Sequence, residues 1–218
     1  MLHFPLFALL VVAAPRPNLP VRPSQSESPV LAEATRILNA VKSTTYVHKA
    51  EVDEDAGIYN MDCSHFVGYV LARVGSDALK EIPKEPKHKY PRAFLFCDFF
   101  RDIPASSLYW GRVKTLAEAQ PGDIIAWRMA DLDPKKDTGH VAILKARPES
   151  IGGATYTISV IDASEVRHFS DSRTDGQTGI GTGMLQIHVD ANGEPIEVKF
   201  NPKAKWHPHL FGIGRLIK

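Results

Sequence analysis

At Pro121-Gly122 the hydrophobic pattern of this chain changes its period, and that change restricts the fold more than any other feature. Upstream, apolar residues recur at helical spacing. Val30, Leu31, Ala34, Ile37, Leu38 and Val41 predict an amphipathic helix of about 13 residues, opened by Ser28-Pro29 as N-cap and first helical residue. MDCSHFVGYVLARVG predicts a second, with Cys63, Phe66, Val67, Val70, Leu71 and Val74 on one stripe and Gly75 closing it. AFLFCDFFRD, residues 93–102, predicts a short aromatic third that holds Cys97. Residues 76–92 between them are rich in Lys and Pro and read as a surface loop. Downstream, Asp123–Arg128, Gly139–Ala146, Tyr156–Ala163, Met184–Val189 and Ile196–Phe200 read as strands. Ala191-Asn192-Gly193 turns between the last two, and Ile213–Ile217 is a candidate sixth strand. Helices followed by a run of neighbouring strands predict an α+β domain on an antiparallel sheet.

The first residues stand apart from that pattern. Phe4 to Ala14 is an apolar run of 11 residues, too short for the roughly 20 that span a bilayer as a helix. Residues 1–14 read as a signal peptide for export, the alternative being a buried or disordered N-terminal segment. Pro15 to Pro29 holds five prolines among polar residues, so 15–28 reads as a linker and 29–218 as the domain. With Lys+Arg at 26 and Asp+Glu at 25, the net charge of +1 gives no overall field for nucleic acid. No stable membrane span is expected in the mature form.

Two cysteines are too few for a disulfide scaffold, and they form no C-x-x-C pair for a thiolate metal site. Cys63 falls in the first turn of its helix, where unpaired N–H groups and the dipole favour an anion and so a reactive thiolate. The same placement also suits a small buried hydrophobe. A thiolate nucleophile needs a base and a group to orient it. His140, Ala142 and Leu144 share one face of their strand; Ile158, Val160 and Asp162 share one face of the next. If Ala146 faces Tyr156, His140 sits opposite Asp162, within reach of a carboxylate to imidazole contact. A slip of one residue would turn Asp162 to the other face.

These residues lie in motifs with a shared resemblance. MDCSHFVGYVL resembles the Asp-Cys-Ser-Gly-(Leu/Phe)-Val signature of the NlpC family of papain-like cysteine peptidases, which cut cell-wall peptides. LAEAQPGDIIAW, TGHVAIL and VIDAS follow in that family's order, TTYVHKA is similar to its upstream tyrosine segment and YPRAF to a Pro-Arg element. The likeness runs from about Thr44 to Ser164. It implies a papain-like fold, with Cys63 as nucleophile, His140 as base and later acid, and Asp162 orienting His140. It places Tyr46 and the Cys63 N–H beside the developing oxyanion, and gives Asp62 and Ser64 a part in binding the free α-amino end of a stem peptide. The implied partner is a peptide or peptidoglycan, with no metal or other cofactor.

The chain departs from the family at three points. His65 stands where glycine follows Cys-Ser and adds a bulky polar group to the substrate side. His48-Lys49-Ala50 replaces a Gly-Gly, and Asp162 replaces the usual histidine. A papain-like amidase or acyltransferase on another substrate, and an inert binding module of the same fold, are the alternatives. Elsewhere Cys97 reads as core and Asp131–Asp137 as a solvated insertion. His207-Pro208-His209 reads as surface, GIGTG (179–183) lacks the Lys-Ser/Thr of a phosphate loop, and the Ser170–Gly183 loop follows Asp162 and is placed near the cleft.

Overall fold

A computed structural model describes residues 28–131, 133 and 139–218; the expected signal peptide, nearly all of the linker and most of the Asp131–Asp137 insertion lie outside them. The described part is α+β. Helices α1 (Pro29–Ala40), α2 (Cys63–Val74), α3 (Ser76–Glu81) and α4 (Ala93–Arg101) come first, interrupted by the small hairpin β1 (Glu51–Asp53) and β2 (Ile58–Asn60). Strands β3 (Trp110–Arg112), β4 (Ile124–Arg128), β5 (His140–Leu144), β6 (Glu149–Gly152) and β7 (Thr155–Ser164) follow. The chain ends with β8 (Gly179–Val189), β9 (Pro195–Lys199), β10 (His207–Pro208) and β11 (Leu210–Leu216). The main sheet runs β10-β9-β8-β7-β5-β4-β11-β3, and β6 pairs with the far half of β7. Every pairing between these strands is antiparallel.

Strict alternation along the central strands gives the sheet two apolar faces. Ile124, Ala126, Val141, Ile143, Ile161 and Ala163 face a core shared with α1, α2 and α4, in which Phe66, Phe96 and Phe100 are fully buried. Each such side chain contributes about 1.5–3 kcal/mol over leaving it exposed. Ile125, Trp127, Ala142, Leu144, Ile158 and Val160 face the other way, into a second core with Leu185, Val198 and Phe211. That second core is enclosed because the sheet curls: β9 and β11, near opposite ends of the strand order, touch, and His209 N–H donates to Ile196 O across the gap.

Several local expectations are corrected. Residues 76–92 are not all loop, because α3 occupies Ser76–Glu81 and buries Ala78. A polar composition hid one short apolar contact there. Ser28 precedes α1 but its side chain caps nothing, and Pro29 supplies the start. The fourth predicted strand begins at Gly179 rather than Met184, so GIGTG is strand, and the loop after Asp162 ends at Thr178. The last strand starts at Leu210 and lies between β4 and β3.

The hairpin register also differs. Ile143 pairs with Ile161 and Leu144 with Val160, a slip of two residues that brings Ala142, not His140, level with Asp162. The cause is extra chain between Leu144 and Glu149, which lets β6 form its own bulged pairing with Thr155–Thr157. An even slip preserves the face, so His140 and Asp162 remain on the same side and meet diagonally.

Glycines in β8 mark a close approach. A Cβ on Gly183 would lie 2.6 Å from His168 Cβ, and one on Gly181 would lie 2.9 Å from Arg173 Nε. Both glycines leave room on the inner face of β8 for side chains from the preceding loop. Gly183→Ala is therefore expected to cost roughly 1–3 kcal/mol. The check is thermal unfolding, where a drop in Tm of several degrees is expected and an unchanged Tm would contradict the packing.

Candidate active site

Cys63 is the first residue of α2, 3% exposed. Asp62 caps the helix: its Oδ1 accepts from His65 N–H at 2.8 Å and from Ser64 Oγ at 2.8 Å, and lies 3.0 Å from His65 Nδ1. Burial alone would raise this carboxyl. The His65 ring and backbone N–H outweigh it and hold Asp62 down at about 2. The backbone N–H groups of Cys63 and Ser64 lie in the first turn, before any intrahelical acceptor is available. They face the end of the helix, where developing negative charge is favoured.

Tyr46 reaches the same point from the segment before β1. Its N–H donates to Thr178 Oγ1 at 3.0 Å, and Thr44 Oγ1 donates to Tyr59 O at 2.6 Å while accepting from Ile180 N–H at 2.9 Å. These bonds fasten residues 44–46 to the start of β8. The Tyr46 phenol is pushed far above its ordinary value by burial, and further by the negative charge of Cys63 and Asp62 and a hydrogen bond with Cys63. Tyr46 thus keeps its proton and faces the sulfur as a donor.

His140 opens β5, and the residue before it must be glycine. Gly139 has φ +78°, and a Cβ there would lie 1.9 Å from Trp127 O. The imidazole stands 5.0 Å from the Trp127 ring. Its Nε2 lies 2.7 Å from Asp162 Oδ2, and Cys63 lies close enough to act on its charge. With Nε2 taken by the carboxylate, Nδ1 is the nitrogen left for the thiol. Burial would lower the imidazole; the charge and hydrogen bonds of Cys63 and Asp162 overcome it and push His140 up to about 10.

Asp162 is 0% exposed and serves three partners. Oδ2 also lies 2.8 Å from His168 Nε2, and Oδ1 accepts from Arg173 at 3.1 Å. Arg173 in turn bonds Asp171 and Gly179 O. Against the burial that would raise it, His168 and His140 hold the Asp162 carboxyl far below the usual carboxylate range. Donor atoms of His140, Asp162 and His168 all lie within 4.8 Å of one another, the spacing of a metal site. The hydrogen bonds account for that spacing, and the Arg173 guanidinium on the same carboxylate opposes a cation there.

His168, Asp171 and Arg173 are not singled out by the sequence, although the Ser170–Gly183 loop expected near the cleft contains the last two. They sit in an aperiodic loop, and the one trace they leave is the alternation of glycine at 179, 181 and 183, which signals a strand face against which something lies flat. Cys97 is elsewhere: fully buried, its thiol 3.2 Å from Leu210 O and pushed up to about 12 by burial. Both cysteines are free.

Two clefts are lined by residues of the site or next to it in sequence. One, of about 250 Å³, is lined by Tyr46, Trp127, His140, Glu165 and Phe200 among others. The other, of about 520 Å³, is bounded by Met61 and His65, which bracket Cys63 in sequence, and by His48, whose ring stands 5.8 Å from Tyr46. No protein-family model, curated protein or solved structure matches this chain.

Proposed function

We propose that the protein is an exported cysteine hydrolase of papain-like type, akin to the NlpC peptidases, which cleaves amide bonds in the stem peptides of peptidoglycan. The observation that carries the reading is His140, held between the Cys63 thiol and the buried Asp162 carboxylate at the N-terminus of α2. In the reaction, Cys63 Sγ adds to the amide carbonyl carbon, and the carbonyl oxygen takes the negative charge. The Cys63 N–H and the Tyr46 hydroxyl donate to it. His140 then gives its Nδ1 proton to the leaving nitrogen, the C–N bond breaks, and a thioester and free amine result. Water enters, loses a proton to His140 and adds to the thioester carbon; the thiolate departs and the acid product leaves. Asp162 stabilises the imidazolium in both halves and keeps its own charge.

Export is supported by the apolar run Phe4–Ala14. No helix among the described residues is long and apolar enough to cross a membrane. The test is digestion of purified peptidoglycan by wild type and by Cys63→Ala, with mass spectrometry of the soluble products. Fragments with a newly freed amine are expected from wild type only. Identical products from both proteins would remove the cell-wall reading and leave amide hydrolysis to be tested on other peptides.

A further inference from the structure

We propose that His168 is a positioning residue for amide cleavage: it holds the Asp162 carboxylate against His140 and takes up part of that carboxylate's charge, so that the imidazolium can give its proton to the leaving amine. This rests on the hydrolase reading above. An ionised carboxylate only accepts hydrogen bonds. His140 Nε2 at 2.7 Å and His168 Nε2 at 2.8 Å therefore both donate to one oxygen, Oδ2, while Arg173 holds Oδ1 at 3.1 Å. With three donors fixed on its two oxygens, the carboxylate has one orientation. An oxygen divided between two donors also holds each less strongly than it would hold one alone.

The loop between β7 and β8 builds a setting for this ring. The His168 backbone N–H donates to Asp171 Oδ2 at 2.7 Å, and Phe169 exchanges both of its backbone bonds with Met184. The ring stands 6.5 Å from that of Phe200 at an interplanar angle of 29°. Gly183 leaves it the space beside β8, since a Cβ there would lie 3.0 Å from His168 Cδ2. The side chain is 1% exposed, yet its Nδ1 has no hydrogen-bond partner among the described residues. A buried polar atom without a partner lowers stability, and an apolar side chain would fill the same space without that cost. The one polar gain this ring brings is the bond from Nε2 to Asp162.

Several charged or titratable groups bear on His140. Cys63 acts on it from α2 and Asp162 from β7, and Tyr46 and Glu165 line the cleft it borders. His168 and Arg173 reach it through Asp162, and Asp171 stands behind Arg173. Without His168, Arg173 still holds Oδ1, and the whole of Oδ2 falls to His140. The carboxylate then stabilises the imidazolium more strongly, and its proton leaves less readily.

The test compares His168→Gln with His168→Met. The two side chains are matched in length, and Gln alone carries an N–H where Nε2 of His168 stands, so a role confined to packing treats them alike. On a cleaved peptide, His168→Met is expected to lower kcat by about 10- to 100-fold, the worth of one hydrogen bond to a charged group, with KM within about twofold of wild type. It should also move the basic limb of kcat/KM to higher pH, the opposite direction to that expected of Asp162→Asn. His168→Gln should keep the limb in place and stay within about threefold of wild type. Equal losses in the two variants, or a limb that stays or falls in His168→Met, overturn the positioning role and leave the hydrolase standing. If His168→Met does not fold, His168→Gln decides: near wild-type activity supports the role, and a loss of about tenfold or more rejects it. If wild type cleaves no peptide, the hydrolase reading fails. The role of His168 is then decided by ring-nitrogen NMR of histidine-labelled protein, where the titration midpoint of His140 should rise in His168→Met and not in His168→Gln. Equal midpoints in wild type and both variants reject it.

Discussion

Cys63→Ala is expected to lower kcat/KM on any cleaved amide substrate by about 10⁴-fold or more, and His140→Ala to bring a loss of similar order. Groups that act as one unit give such near-equal, non-additive losses, so the double variant should be little worse than either alone. The alanine at 63 removes the atom that forms the thioester. The alanine at 140 leaves a thiol with no base beside it and no proton for the departing amine. Iodoacetamide separates the two effects, since alkylation needs the thiolate but no leaving-group proton. Alkylation of Cys63 should be slower in His140→Ala than in the wild type across the neutral pH range. Coincident profiles would contradict the pairing of Cys63 with His140.

Asp162→Asn has the second largest effect and acts on two quantities at once. Activity falls by roughly 10²- to 10⁴-fold, because the amide cannot stabilise the imidazolium and favours the wrong tautomer. Since His140 owes part of its upward shift to this carboxylate, the basic limb of the kcat/KM profile should move to lower pH. Stability falls as well, by about 3–5 kcal/mol, because Arg173 and His168 lose a buried counter-charge. The sign of its pH dependence follows from a carboxyl held far below its ordinary value. Its contribution is complete above the unfolded value of about 3.9 and is lost as pH falls toward the folded one. In urea denaturation the gap between wild type and variant should narrow by about 1 kcal/mol per pH unit below about pH 4. A gap independent of pH would contradict an ionised Asp162.

Helices α1, α2 and α4 and most of the sheet were legible because their apolar residues follow two clean periods, and Cys63 at a helix start follows from the stripe that Phe66, Val67 and Val70 share. The meeting of His140 with Asp162 was legible for a different reason. The expected register was off by two, and only an odd error changes a residue's face. What was hidden obeys neither period. β1 is exposed at all three residues, so it shows no alternation. His168 and Arg173 reach Asp162 from a loop, where spacing along the chain says nothing about distance in space. Asp62 and His65 were seen as flanking residues, but their mutual bonding depends on the helix cap geometry.

The bonds from Tyr46 to Thr178 and from Thr44 to Ile180 join residues 132 and 136 apart in sequence. Such distant partners are among the last to meet as a chain is synthesised and folds. Until residues near 180 have been delivered, Tyr46 has no anchor, and His140 and Asp162 have no completed sheet to stand in. The contacts that hold Thr44 and Tyr46 in place therefore form only once the C-terminal third of the chain is present.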